Sequence, residues 1–108
     1  MEIVVKLAPR NGSCYAEGGY TQNGFTVKKG GKINLDFAAH IRGGKSAKKY
    51  RGDVEYVDKE GNILKDCEFS SPSTAAQFVT GRSTNGYKAW KVDSKKSLGD
   101  YLKEKGFR

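Results

Sequence analysis

Ile3, Val5 and Leu7 occupy every second position at the start of the chain, the period of a strand with one buried face. Asn11-Gly12, within residues 9–13, marks a turn, and residues 14–20 form a second strand candidate weakened by Gly18-Gly19. Asn23-Gly24 is a hairpin signal, followed by the short alternating run Phe25-Thr26-Val27. Residues 28–32 are a basic glycine turn, after which Ile33, Leu35 and Phe37 alternate as a fourth strand. Residues 54–57 and 63–69 read as two further strands around a turn at 58–62.

Helical spacing is clearest just beyond. Ser71 suits an N-cap, because its hydroxyl can accept from a free amide of the first turn, and Pro72 falls at the first helical position, where a missing N–H costs nothing. Ala75, Phe78 and Val79 then share one buried face, and Gly81 can adopt the left-handed conformation that ends the helix. Asn85-Gly86 predicts a tight turn, with residues 87–92 as the strand leaving it. Alternation in that strand puts Tyr87, Ala89 and Lys91 on one face and Lys88, Trp90 and Val92 on the other, with Trp90 and Val92 in the core. Residues 94–105 predict a last helix with Leu98, Tyr101 and Leu102 on one face, capped by Asp93 or Ser94 and stopped by Gly106. The expectation is one α+β domain over residues 1–108: an antiparallel sheet of short strands and hairpins, with two short helices in the C-terminal half.

Composition narrows the class. With 36% hydrophobic and 30% charged residues the 108-residue chain is neither membrane-spanning nor plainly disordered, and 14 glycines against two prolines favour short strands and turns. Its N-terminus lacks the long apolar core of a signal peptide, so a cytoplasmic location is expected, away from membranes. Cys14 and Cys67 form no Cys-x-x-Cys pair, and His40 is the only histidine, which argues against a closed zinc site. Two buried free thiols are the default for a reducing compartment, though a single disulfide is also compatible with the sequence. The formal charge of +8 attracts polyanions: nucleic acid, an anionic membrane or an acidic protein.

Chemical motifs are sparse. Ala39-x4-Gly44-Lys45-Ser46 matches a relaxed phosphate loop. Such a loop needs a fully buried strand before it and a helix after it, whereas residues 33–37 alternate and Gly52 interrupts the Lys-rich run that follows. A basic loop over residues 38–52, either mobile or with a short helical turn, explains the same residues. His40 has no apparent acid–base partner, and no serine sits in a nucleophile elbow. Ser70, Ser71 and Ser73 are explained by capping and turns, and the scattered acids form neither a carboxylate dyad nor a cation loop. No metal, cofactor or catalytic residue is therefore expected.

The run Phe69-Ser70-Ser71-Pro72-Ser73-x-Ala75-Ala76, then Gly81-Arg82-Ser83-x-Asn85-Gly86-x-x-x-Trp90, resembles a small uncharacterised accessory domain. That domain lies at the C-terminal end of some GIY-YIG endonuclease-like proteins and is similar to the RAMA (restriction enzyme adenine methylase associated) domain. Gly18 to Tyr20 and Gly24-Phe25-Thr26-Val27-x-Lys29-Gly30 resemble its early hairpin, so the likeness covers roughly residues 15–92. Tyr87 stands where the family usually has tryptophan, Gly31 where it often has serine, and residues 54–57 where relatives tend to carry a helix. No GIY-YIG catalytic segment is present in these residues. The resemblance implies a non-enzymatic module of DNA modification or restriction-type systems, suggested to contact DNA, including modified DNA.

Two functions follow as expectations. In the first, a nucleic-acid-binding module contacts DNA ahead of RNA. Arg42, Lys45, Lys48, Lys49, Arg82, Lys88 and Lys91 neutralise phosphates, with Asn85 and Tyr87 as candidates for touching a base. Tyr87 is equally well explained by packing on the terminal helix. In the second, the domain docks a nuclease or methyltransferase through an apolar patch around Tyr101, Leu102 and Phe107. A small enzyme is the third and weakest reading.

Overall fold

A computed structural model describes residues 2–9, 12–35, 45–82 and 84–106, with the backbone alone at 45–47. The chain runs β1 (Ile3–Leu7), β2 (Ala16–Thr21), β3 (Gly24–Val27), α1 (Lys45–Arg51), β4 (Cys67–Phe69), α2 (Pro72–Thr80), α3 (Gly86–Ala89), β5 (Lys91–Asp93), β6 (Lys96–Ser97) and α4 (Leu98–Glu104). The strands form one antiparallel sheet in the order β4-β3-β2-β1-β5-β6. The fold is α+β, as the patterning predicts.

Alternation explains the layering. Val5 and Leu7 of β1, Ala16 of β2, Phe25 and Val27 of β3, and Cys67 and Phe69 of β4 are buried, while the residues between them point to the uncovered face. Onto the buried face pack Ala75, Ala76, Phe78 and Val79 of α2, Leu98 and Leu102 of α4, and Trp90, which has no exposed surface. Trp90 lies with its ring 4.7 Å from that of Phe25. Burying the Val, Leu and Phe side chains among them contributes roughly 1.5–3 kcal/mol each, which makes this single apolar layer the main stabilising term. Residue α1 Tyr50 closes the β4 edge: its ring packs on Phe69 and Phe78, and its hydroxyl accepts from the Glu68 amide at 3.2 Å. That amide would otherwise lie on an open sheet edge.

Several elements form where the sequence places them. The Asn23-Gly24 hairpin joins β2 to β3, with Thr21 opposite Gly24. Ser71 caps α2, its Oγ accepting from Thr74 N at 3.2 Å; Pro72 opens the helix, and Gly81 closes it at φ 74° with its amide donating to Gln77 O.

Other expectations are overturned. The strand over 33–37 is absent among its described residues: Ile33 is buried but Leu35 is 60% exposed, because the Asn34 amide donates to Val79 O of α2 at 2.8 Å and turns the chain off the sheet. Phe37 lies outside the described residues. Residues 54–57 form a turn closed by the Tyr56 and Val57 amides on Asp53 O, and Val54 is 78% exposed. Of residues 63–69 only Cys67–Phe69 pair as a strand. The last helix starts at Leu98 rather than 94, because Lys96–Ser97 pair back on β5 and Ser97 supplies the cap, its Oγ accepting from Asp100 N at 3.2 Å. Four short helices are described, where the sequence predicts two, and α1 lies in the first half of the chain.

Both thiols are free and buried. Burial, and then the charge of Asp66, push the Cys67 thiol up to about 12 from an ordinary 9.0; burial also raises Cys14. The unfolded chain ionises at Cys67 near the ordinary value while the folded chain keeps the proton. The stability due to this group is therefore full below about pH 9 and lost as pH rises towards 12. Between pH 8 and 10.5 the Tm of the wild type is expected to fall more steeply than that of Cys67→Ala. Parallel Tm profiles would show that the thiol ionises freely in the fold.

Candidate nucleic-acid interface

The serine-rich stretch and the Asn-Gly stretch lock together. The Gly86 amide donates to Ser73 Oγ at 3.0 Å, and Trp90 Nε1 donates to Pro72 O at 3.0 Å. A Cβ on Gly86 would lie 2.2 Å from Pro72 C and O, so backbone meets backbone at the first turn of α2. This contact replaces the predicted turn and most of the predicted strand over 87–92, of which only Lys91 and Val92 are in a strand, β5. Asn85 is an N-cap, its Oδ1 accepting from Tyr87 N at 3.0 Å, and Gly86–Ala89 is the short helix α3. Strand alternation consequently does not apply to Tyr87, Lys88, Ala89 and Trp90.

The interlock fixes both ends of the loop between α2 and α3. Thr80 Oγ1 donates to Ala76 O at 2.8 Å and accepts from Arg82 N at 3.2 Å, while Thr84 Oγ1 donates to Arg82 O at 2.9 Å. The loop is stitched through hydroxyls, leaving Arg82, Asn85 and Lys88 exposed. Tyr87 is half-buried: its ring meets Tyr20 edge-on at 6.5 Å, and its backbone and Cβ lie against Gly99 at the start of α4. Packing on the terminal helix is thus what the structure shows for Tyr87. Between α3 and α4 opens a hollow of about 430 Å³, lined by Asn85, Tyr87, Lys88, Asp100 and Lys103 among others.

Helix α1 packs on α2 and carries exposed Lys48 and Lys49. Lys45 is the first residue of α1, its side chain not described, and Arg42 lies outside the described residues, as do His40 and residues 39–44 of the phosphate-loop pattern. Arg51 turns inward: its Nε donates to Phe78 O near the end of α2 at 2.9 Å. Burial lowers its guanidinium to about 10, so it stays charged at neutral pH and serves the helix C-terminus, where a cation is favoured.

Lys91 does not stand with Tyr87. It pairs across the sheet with Lys6 and is exposed on the uncovered face. Sequence reasoning missed Lys6; alternation in β1 puts it on the polar face, but only the pairing of β1 with β5 brings it opposite another lysine. The apolar docking patch is likewise corrected, since Leu102 is fully buried and Tyr101 half-buried, with Phe107 outside the described residues. Among the described residues no group of three His, Cys, Asp or Glu could hold a metal ion, and no helix is long and apolar enough to cross a membrane.

Charge is distributed unevenly over this frame. Residues 37–52 and 69–92 hold eight of the 20 Lys and Arg and none of the 12 Asp and Glu, so the rest of the chain is formally neutral. The first stretch contains α1, and the second contains α2, the Arg82 loop and α3, which pack on one another. Six of these eight cations lie on α1, α3 and the Arg82 loop, while Lys91 lies on β5 and Arg42 outside the described residues.

These features define a small α+β domain whose sheet is covered on one face by helices, of which α1, α2 and α3 carry no acid. The family model for a domain of unknown function, DUF4357, matches residues 7–102, and the chain belongs to that family. No curated protein and no solved structure matches the chain.

Proposed function

We propose that this domain is a non-enzymatic nucleic-acid-binding module, and the observation that carries the reading is the acid-free run of α1, α2 and α3, which exposes Lys48, Lys49, Arg82 and Lys88. A surface of cations without interspersed carboxylates binds phosphate through counterion release, a term independent of sequence. Lys48 and Lys49 on α1, and Arg82 and Lys88 around α3, are the phosphate contacts, joined by Arg42 and Lys45. Asn85 and Tyr87 line the hollow that a base turned out of a strand would enter, stacking or hydrogen-bonding there. The resemblance to the accessory domain of GIY-YIG-type proteins favours DNA over RNA and a role beside restriction or modification enzymes, with modified bases as the feature read. The two free buried thiols fit a reducing, cytoplasmic setting.

The test is a fluorescence-anisotropy titration with labelled duplex DNA, unmodified and adenine-methylated, across a salt series. The wild type is expected to bind at low salt, log Kd rising linearly with log salt, and Arg82→Glu to weaken binding by about tenfold. Tighter binding to the methylated duplex supports the modification reading; equal binding removes it and leaves a general phosphate-binding module. No binding at low salt would overturn the proposal.

A further inference from the structure

We propose that the groove astride Lys6 and Lys91 is a phosphate-binding site, seating a phosphodiester of a nucleic-acid strand; the strand, though not the phosphate chemistry, rests on the function proposed above. Strands β1 and β5 are joined at a single register pair, Lys6 opposite Lys91. Side chains directly opposite in an antiparallel pair project to the same face about 5 Å apart, and like charges so placed repel. Both lysines are exposed, and neither belongs to any of the ion pairs among the described residues, which join Lys28 to Glu2, Lys65 to Glu55 and Lys96 to Glu104.

Two carboxylates stand near and offset part of the repulsion, Glu17 being as directly opposite Lys6 as Lys91 is. Glu17 faces Lys6 from β2, and Asp93 lies two residues along from Lys91, but neither closes an ion pair with a lysine. Asp93 Oδ1 instead accepts from the Lys95 amide at 2.8 Å, which builds the turn between β5 and β6. Two lysines are therefore carried side by side at the one register pair that joins the two halves of the sheet, neither closed in an ion pair, and an anion between them would contact both.

The surroundings give that anion a place. A groove of about 950 Å³ is lined by both lysines, by Asp93, and by Thr80, Thr84 and Ala89 from the helical layer. Thr80 and Thr84 flank Arg82 in the hydroxyl-stitched loop. The groove thus reaches from the lysine pair to the loop that carries Arg82. A phosphodiester presents two unesterified oxygens, one for each ammonium, and each lysine acts as a point charge on it.

The measurement is a ¹H–¹⁵N NMR titration of the full chain with inorganic phosphate and, separately, with the dinucleotide TpT. The variants are Lys6→Gln and, as a control, Lys59→Gln, whose exposed residue in the turn at 58–62 lines neither the groove nor the proposed interface. Both probes are expected to shift the amides of Lys6, Lys91 and Thr84 saturably, with affinity falling roughly fivefold or more in Lys6→Gln and unchanged in Lys59→Gln. Shifts spread evenly over all lysines, or untouched by Lys6→Gln, would overturn the site. Binding of phosphate but not TpT would overturn the diester and leave a small-anion site. TpT binding in the groove together with failure of the duplex titration would sink the proposed function and leave this inference standing.

Discussion

Gly86→Ala is expected to destabilise the domain by about 3 kcal/mol, a fall in Tm of roughly 10–20 °C. The reason is steric and not a matter of backbone torsion, since Gly86 is absent from the positive-φ glycines of the described residues. Its added methyl would meet Pro72 C and O at 2.2 Å and Ser73 N at 2.4 Å. All three are backbone atoms, so no side chain can swing aside, and α3 must move away from the first turn of α2. That displacement strains the bond from Gly86 N to Ser73 Oγ and the bond from Trp90 Nε1 to Pro72 O. Trp90 is fully buried and packs on Phe25, so the disturbance enters the core that joins helices to sheet. Thermal unfolding followed by circular dichroism measures it. A Tm within a few degrees of the wild type would mean that α3 can leave α2 freely, and the Arg82 loop would then lack the support described above.

The same glycine shows where sequence reading succeeds and where it stops. Asn-Gly is a turn signal because glycine accepts positive φ and asparagine bonds its own backbone two residues on. Asn85 does make that bond, to Tyr87 N, but the bond serves as a helix cap, and Gly86 is selected by a neighbour thirteen positions earlier in the chain. Local chemistry is identical in the two outcomes, and only the tertiary contact separates them. By contrast, Ser71, Pro72 and Gly81 each carry a constraint satisfied within their own helix, so α2 was legible to the residue. The alternation of Ile33, Leu35 and Phe37 misleads for the first reason again: Asn34 bonds to Val79 of α2, a partner no local pattern reveals.

The candidate site was less legible than the fold. Exposed lysines follow no period, so the sequence names them without saying which stand together. Arg51 reads as one more cation in a basic run, yet its guanidinium is spent on Phe78 O. Lys91 reads as a neighbour of Tyr87, yet it faces Lys6 on the other side of the sheet. What the sequence does show correctly is the absence of acids from two stretches. The fold then brings those stretches together as α1 against α2, and this converts a compositional surplus into a surface.

That surface makes the second large expectation. The double variant Lys48→Glu, Lys49→Glu should weaken binding to duplex DNA by on the order of 10²–10³ at low salt, and lower the slope of log K against log salt by roughly 2. Both side chains are exposed on α1, and no acid lies anywhere in residues 37–52. Each substitution therefore removes a phosphate contact and places a carboxylate where the field was uniformly positive. Stability should change much less. Lys48 and Lys49 lie in the last turn of α1, where acids oppose the helix dipole, so a penalty of about 1 kcal/mol is expected for the pair. Arg51 remains on Phe78 O to hold α1 against α2. The two readouts separate the causes: anisotropy reports the binding loss, and thermal unfolding of the same sample reports whether the fold survived. A variant that stays folded and binds as tightly as the wild type would remove α1 from the interface. The acid-free run of helices would then be a solubility feature, and whatever binding remains would belong to the groove beside Lys6 and Lys91.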